Sequence, residues 1–137
     1  MKTSTKTITK WKQDRVFESQ QEGNPSHIVI DGGRQLGPGP KSLLLSGLAG
    51  CSAIDVLDIL EKMRIKFSDF TIEVEAEQTT DHPKVFKDIL ITYSIRTDKS
   101  NEDKVIKAID LSLEKYCGVS AMLRKNSAID YKLQLIP

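Results

Sequence analysis

The chain has 137 residues, 39% of them hydrophobic, and its 20 basic and 19 acidic side chains leave a formal charge of +1. This length fits a single domain, residues 1–137, with one modest core. The near-neutral charge argues against a nucleic acid or a membrane surface as a partner. The N-terminus lacks the apolar stretch of a secretory signal, and no apolar run approaches the roughly 20 residues of a membrane span. We therefore expect a cytoplasmic protein.

The first third of the chain contains three short segments with the alternation of β-strands, at 5–13, 15–20 and 26–32. Turn residues separate them, which predicts a small antiparallel sheet. The next segment, 31–40, contains four glycines and two prolines in ten residues. Such a composition excludes regular secondary structure and predicts a loop.

A long apolar helix is predicted from Lys41 to about Lys66, with Pro40 suited to its first position. Its apolar residues cover more than one face in the first half, which predicts a central helix buried on most sides. A second chain would help to cover such a helix, so we expect a dimer that shares its core. The alternative is that two sheets of one chain enclose the helix.

The remaining chain alternates between strand and helix patterns. Segments 69–79 and 84–97 alternate in polarity and are joined by a turn, which predicts a hairpin. Residues 101–117 have helical spacing, a short helical continuation follows, and 128–136 alternates again. The predicted order is β-β-β-α-β-β-α-β, an α+β fold with a long buried central helix packed on antiparallel sheets.

The two cysteines, Cys51 and Cys117, are the residues most able to carry chemistry. Both lie in apolar helices, where a free cysteine is commonly an inert buried residue. Small residues surround each of them, however: Gly47 and Gly50 beside the first, Gly118 beside the second. These glycines would let a substrate or another helix approach the sulfur closely.

A redox role for the pair has defined chemical requirements. The reacting species is a thiolate, so a nearby cation or hydrogen-bond donors must favour the ionised thiol. Reaction with a peroxide leaves a sulfenic acid, which a second thiol converts to a disulfide. An external thiol then reduces that disulfide by exchange. His27 and His82 lack metal-ligand spacing, so we expect neither a metal nor another cofactor.

Two blocks of sequence, "GPGPKSLLLSGLAGCSAIDVLDIL" and "KYCGVSAML", together with the strand order, resemble the OsmC/Ohr family. The resemblance implies an intertwined α+β homodimer with active sites at the subunit interface. It implies that Cys51 is the peroxidatic nucleophile and Cys117 the resolving residue. The implied reaction is the reduction of organic hydroperoxides in oxidative-stress defence, with electrons from dithiols such as lipoylated proteins.

One part of the family pattern is missing at the start of the central helix. Hydroperoxide-reducing members have an acidic residue after the proline, where this chain has Lys41 and Ser42. That residue pairs with an arginine that stabilises the thiolate, and here Arg15 and Arg34 are both candidates. Lys41 itself could supply the cation, although ten residues of helix, about 15 Å, separate it from Cys51 within one chain. This distance is a weaker objection if, in a dimer, Lys41 of one chain acts on Cys51 of the other.

These observations leave a second function open. Without the acidic residue, the chain could be a non-catalytic OsmC-like dimer that binds a small apolar ligand at its subunit interface. Retention of both cysteines favours the hydroperoxide reductase.

Overall fold

The computed structural model describes residues 3–137. The chain forms two compact units: the N-terminal unit ends at Leu44, and the C-terminal unit comprises Leu45–Pro137. The element order confirms the predicted α+β class. The strands are β1 (Thr7–Gln13), β2 (Val16–Gln21), β3 (Ile28–Asp31), β4 (Ser68–Gln78), β5 (Phe86–Arg96) and β6 (Ala128–Ile136). The helices are α1 (Pro40–Lys62), α2 (Glu102–Leu111) and α3 (Gly118–Arg124).

The N-terminal unit is an antiparallel sheet in the order β1-β2-β3, as predicted. Trp11 of β1 lies opposite Phe17 of β2. Every residue of β1 is exposed, and the Trp11 side chain is 66% exposed. The outer strand of this sheet therefore presents apolar surface.

A buried carboxylate organises the loop that follows β3. One oxygen of Asp31 accepts the backbone N–H of Gly33 at 2.8 Å, and the other accepts those of Gln35 and Leu36 at 3.1 and 3.0 Å. The carboxylate thus replaces the hydrogen bonds that regular structure would provide. It fixes the loop whose glycines and prolines exclude a helix or strand.

β5 is the centre of the C-terminal sheet, which has the order β4-β5-β6. The hairpin of β4 and β5 is antiparallel, as predicted, with Ile72 opposite Tyr93. β6 runs parallel to β5, so the expectation of purely antiparallel sheets is wrong for this pair. The cause is the connection, because α2 and α3 form the kind of crossover that parallel neighbours require.

One face of α1 is buried in the C-terminal unit. The side chains that recur every four residues along it have no exposed surface: Leu48, Ser52, Val56 and Leu60. The three apolar ones share a core with the alternate residues Ile89, Ile91, Tyr93 and Ile95 of β5 and with Val105, Ala108 and Ile109 of α2. The unit leaves other faces of α1 open, since Ile54 is 61% exposed.

α1 is also long and apolar. Within residues 3–137 it is the one helix with the length and composition to cross a membrane: 23 residues, and a mean hydropathy of 1.8 over 18 of them. This corrects the expectation that no segment approaches that length, although the core helix of a soluble protein has the same properties.

The end of α1 differs from its predicted position. The helix stops at Lys62, four residues early, because Arg64 takes a left-handed conformation with φ of 58°. The N–H of Ile65 then donates to Leu60 O at 3.0 Å, which closes the helix end in the way usually seen with glycine.

The predicted helix 101–117 consists of two parts. α2 ends at Leu111 and is followed by one π-helical turn, Ser112–Tyr116. Such turns insert an extra residue into a helix and are frequent at functional sites. The turn ends directly before Cys117, which then precedes α3.

We predict that Asp31→Asn lowers the melting temperature at neutral pH, because an amide nitrogen would face backbone N–H groups. Backbone hydrogen bonds from Leu36 and Gly33 lower the pKa of Asp31. Its stabilisation is therefore complete above the ordinary aspartate pKa of about 3.9 and is lost as the pH falls through the lowered value. Thermal unfolding at intervals from about pH 7 down to about pH 2, which crosses the ordinary aspartate pKa, measures the difference.

Asp81→Asn is the matched control, since Asp81 is exposed. A difference between Asp31→Asn and the wild type that stays constant across the acid range would contradict this role of the carboxylate.

Candidate functional site: a pair of thiols in the C-terminal unit

The first thiol, Cys51, lies in α1 beside the buried face of the helix. It directly precedes the fully buried Ser52 and is itself partly exposed. Its side chain packs against the core cluster of the unit. The position therefore combines a fixed helix backbone with partial access for a reactant.

The second thiol, Cys117, lies in the core between the π-helical turn and α3, with 3% of its surface exposed. Its N–H donates to Ser112 O at 2.7 Å, the bond that closes the π-helical turn. The N–H of Ser120 donates to Cys117 Sγ at 3.4 Å. Backbone hydrogen bonds thus hold Cys117 on both sides.

Both cysteines are free thiols, and their side chains interact. Burial raises the pKa of Cys117, the Ser120 amide lowers it, and interaction with the Cys51 side chain raises it again, so the net shift is upward. A raised pKa keeps the proton on the buried thiol. The pair is therefore asymmetric, with one accessible sulfur and one buried, protonated sulfur.

A chain of polar side chains runs through the same core, and the sequence patterns did not reveal it. Ser52 Oγ lies 2.6 Å from the Tyr93 hydroxyl and 3.0 Å from Ser112 Oγ. Ser112 Oγ is also 3.0 Å from a carboxylate oxygen of Asp55. Burial raises the pKa of Tyr93 to about 12, so its hydroxyl stays protonated. The sequence offered one indication of this chain, which is that Ser52 occupies a position on the apolar face of a helix.

The candidate cations all belong to the N-terminal unit. Arg15 is exposed and donates to Asp14 O at 3.2 Å. Arg34 is exposed, lies in the loop after β3 and has a φ of 57°. Lys41 is exposed in the first turn of α1. Which of them stabilises a thiolate stays a prediction.

The glycines near the cysteines face open space in the described chain. A β-carbon built on Gly47, Gly50 or Gly118 meets no atom within 4 Å, apart from its own local chain. Nothing within residues 3–137 therefore requires these positions to be small. Close approach by a substrate or another chain stays a prediction.

Comparison with known proteins identifies the family. A family model described as OsmC-like protein matches residues 32–132, which is more than half of the chain. The chain therefore belongs to the OsmC-like family, and the resemblance found in its two cysteine blocks is confirmed.

Individual relatives agree with this assignment. Protein YhfA of Escherichia coli K12 is 30% identical over 128 residues, which cover 93% of this chain and 95% of YhfA. An OsmC-like protein from Mycoplasma pneumoniae superposes with a TM-score of 0.85 at 19% identity, over 100% of both chains. The organic hydroperoxide resistance protein OhrB of Bacillus subtilis gives 0.64 at 20% identity, covering 96% of this chain and 98% of that one. The two structures show that the fold is shared.

We predict that iodoacetamide alkylates Cys51 at least about tenfold faster than Cys117 near pH 8, because burial and a raised pKa both reduce the reactive thiolate at Cys117. Mass spectrometry of the peptides after timed labelling measures the two rates. In denaturant the rates should converge. Faster labelling of Cys117 in the folded protein would contradict the described asymmetry.

Proposed function

We propose that this protein reduces organic hydroperoxides with its two thiols, Cys51 as the nucleophile and Cys117 as the resolving residue. The observation that carries the proposal is that two cysteines with 65 residues between them in the sequence have side chains that interact in the fold. Their asymmetry fits the two roles, because a nucleophile needs access and a resolving thiol needs only its partner. Membership of the OsmC-like family supports the same reading.

The proposed reaction balances without a metal or organic cofactor. The Cys51 thiolate attacks the outer oxygen of the hydroperoxide, the O–O bond breaks, and the alkoxide takes a proton to leave as an alcohol. Cys51 is then a sulfenic acid. The Cys117 thiol displaces its hydroxyl as water and forms the disulfide. A dithiol reduces the disulfide by two exchange steps and is itself oxidised.

The proposed reductant is a dithiol of the lipoyl type carried by a protein. A dithiol closes its own disulfide after the first exchange, so it completes the second step without another molecule. We place this chemistry in the cytoplasm, where the resting pair stays reduced. Recovery of the protein only in a washed membrane fraction would contradict that location.

We also propose that the active form is a homodimer with the reactive thiols at its interface. Large apolar side chains are exposed in both units: Trp11 by 66%, Leu44 by 48% and Ile54 by 61%. Extended apolar surface is usually covered by a partner. Sedimentation equilibrium that returns only single chains at micromolar concentration would contradict the dimer.

One observation favours a second function, the binding of a small apolar ligand without catalysis. The N-terminal unit contains a cavity of about 350 Å³ lined by Thr9, Arg15, Phe17, Ile30, Gly32 and Pro40. Its volume is in the range of small-molecule sites, and its lining is mostly apolar.

The peroxidase proposal predicts that wild-type protein consumes cumene hydroperoxide catalytically with dihydrolipoamide as reductant. Cys51→Ser should reduce the rate at least about 100-fold, because the nucleophile is lost. Without the reductant, Cys117→Ser should react once and then accumulate over-oxidised Cys51 as more peroxide is added, because no second protein thiol traps the sulfenic acid. Peroxide consumption and thiol counts measure both effects.

The two functions give opposite results in this assay. If both thiols survive millimolar cumene hydroperoxide while an apolar probe binds the folded protein, the second function replaces the first.

The activating cation is tested by Arg15→Ala, Arg34→Ala and Lys41→Ala. One of the three should slow the first oxidation of Cys51 by at least about tenfold, because it stabilises the thiolate. Lys66→Ala is the control, since Lys66 is exposed in the C-terminal unit. Equal rates in all four variants would exclude the three candidates.

A further inference from the structure

Ser112 touches both cysteine-bearing segments at once. Its backbone oxygen accepts the N–H of Cys117 at 2.7 Å, and its hydroxyl lies 3.0 Å from the hydroxyl of Ser52, the residue after Cys51. We propose that Ser112 is a positioning residue whose bond to Ser52 holds the Cys51 and Cys117 segments at the separation needed for disulfide formation. This inference rests on the proposed thiol-pair reaction.

The Ser112 hydroxyl is the donor at the centre of the polar chain. It lies within hydrogen-bond distance of two acceptors, Ser52 Oγ and a carboxylate oxygen of Asp55, each at 3.0 Å. The hydroxyls of Ser52 and Tyr93 share a further bond at 2.6 Å, in which either oxygen can donate. Every buried hydroxyl of this chain therefore has a hydrogen-bond partner.

The chain joins three elements of the C-terminal unit. Tyr93 belongs to the central strand β5, Ser52 and Asp55 to α1, and Ser112 to the π-helical turn. Ser52 and Ser112 have no exposed surface. Buried hydrogen bonds require defined distances and angles, whereas apolar contacts permit sliding. The chain therefore fixes α1 against the turn that presents Cys117.

Fixing the Cys51 and Cys117 segments keeps the two thiols close to each other. Two groups held near their reactive geometry have a high effective concentration, and small displacements lower it steeply. The π-helical turn contributes as well, because its extra residue sets the direction in which Cys117 leaves the helix. Ser112 begins that turn and accepts its closing bond.

The experiment measures this effective concentration without any peroxide. In glutathione redox buffers, the two protein thiols give two electrons to oxidised glutathione, which leaves as two reduced molecules, and the protein disulfide forms. Alkylation and mass spectrometry give the equilibrium constant. Ser112→Ala and Ser52→Ala should each lower it about tenfold.

Two further variants separate positioning from a general loss of packing. Ser127→Ala is the matched control, because Ser127 is 5% exposed and its hydroxyl donates to Phe86 O at 2.7 Å. It should leave the equilibrium constant within about twofold, as expected for a site without contact to the thiols. The double variant Ser52→Ala/Ser112→Ala should change the equilibrium constant by less than the two single effects combined, because both single variants already remove the bond between these hydroxyls.

Other results would overturn the inference. These are unchanged equilibrium constants in Ser52→Ala and Ser112→Ala, an equal fall in Ser127→Ala, or additive effects in the double variant. If Ser112→Ala fails to fold, Ser52→Ala carries the test alone. Failure of the wild type to form the disulfide in glutathione also overturns it. A wild type that forms the disulfide but ignores hydroperoxides would refute the proposed function and leave the positioning role standing.

Discussion

The C-terminal unit depends on how one polar residue is accommodated in an apolar helix face. Ser52 occupies the stripe formed by Leu48, Val56 and Leu60, and none of these side chains is exposed. A buried hydroxyl without a partner is costly, so Ser52 must meet a hydrogen-bonding group on whatever packs against α1. Tyr93 and Ser112 provide those groups. Burial of the apolar side chains drives the packing of α1 against the core. The hydrogen bonds of the Ser52 hydroxyl restrict α1 to one position relative to its neighbours.

The same constraint explains why the two cysteines have different environments. The buried face of α1 passes through Ser52, so Cys51, one residue earlier, lies at its margin and stays partly exposed. Cys117 follows a turn that Ser112 anchors to the core, and it is almost fully buried. Access, protonation and proximity of the thiols therefore arise from one packing arrangement.

Much of the fold could be predicted from the sequence because polar and apolar residues alternate along its strands. Alternation located all six strands to within about two residues, and Pro40 marked the start of α1. The parallel pairing of β6 could not be predicted, because the alternation of a strand does not encode its neighbour's direction. The early end of α1 was missed because Arg64 takes a conformation in which glycine is expected.

The reactive cysteines of the site could be predicted, but the hydrogen-bonded side chains around them could not. Cysteine type and small flanking residues singled out Cys51 and Cys117, and family resemblance suggested their roles. The chain from Tyr93 to Asp55 was not visible, because it joins residues up to 60 positions apart whose pairing exists only in the fold. Serines are common, and only their three-dimensional contacts separate a structural hydroxyl from a surface one.

Cys51 and Cys117 are proposed to form one redox pair within a chain. The most direct measurement is a peptide map without reductant, after the reduced protein has met one equivalent of cumene hydroperoxide. We expect that the peptides containing these two cysteines are joined, that each chain has lost two hydrogen atoms, and that chains remain separate on a denaturing gel. Unlinked peptides, or a Cys51 disulfide between chains, would contradict it.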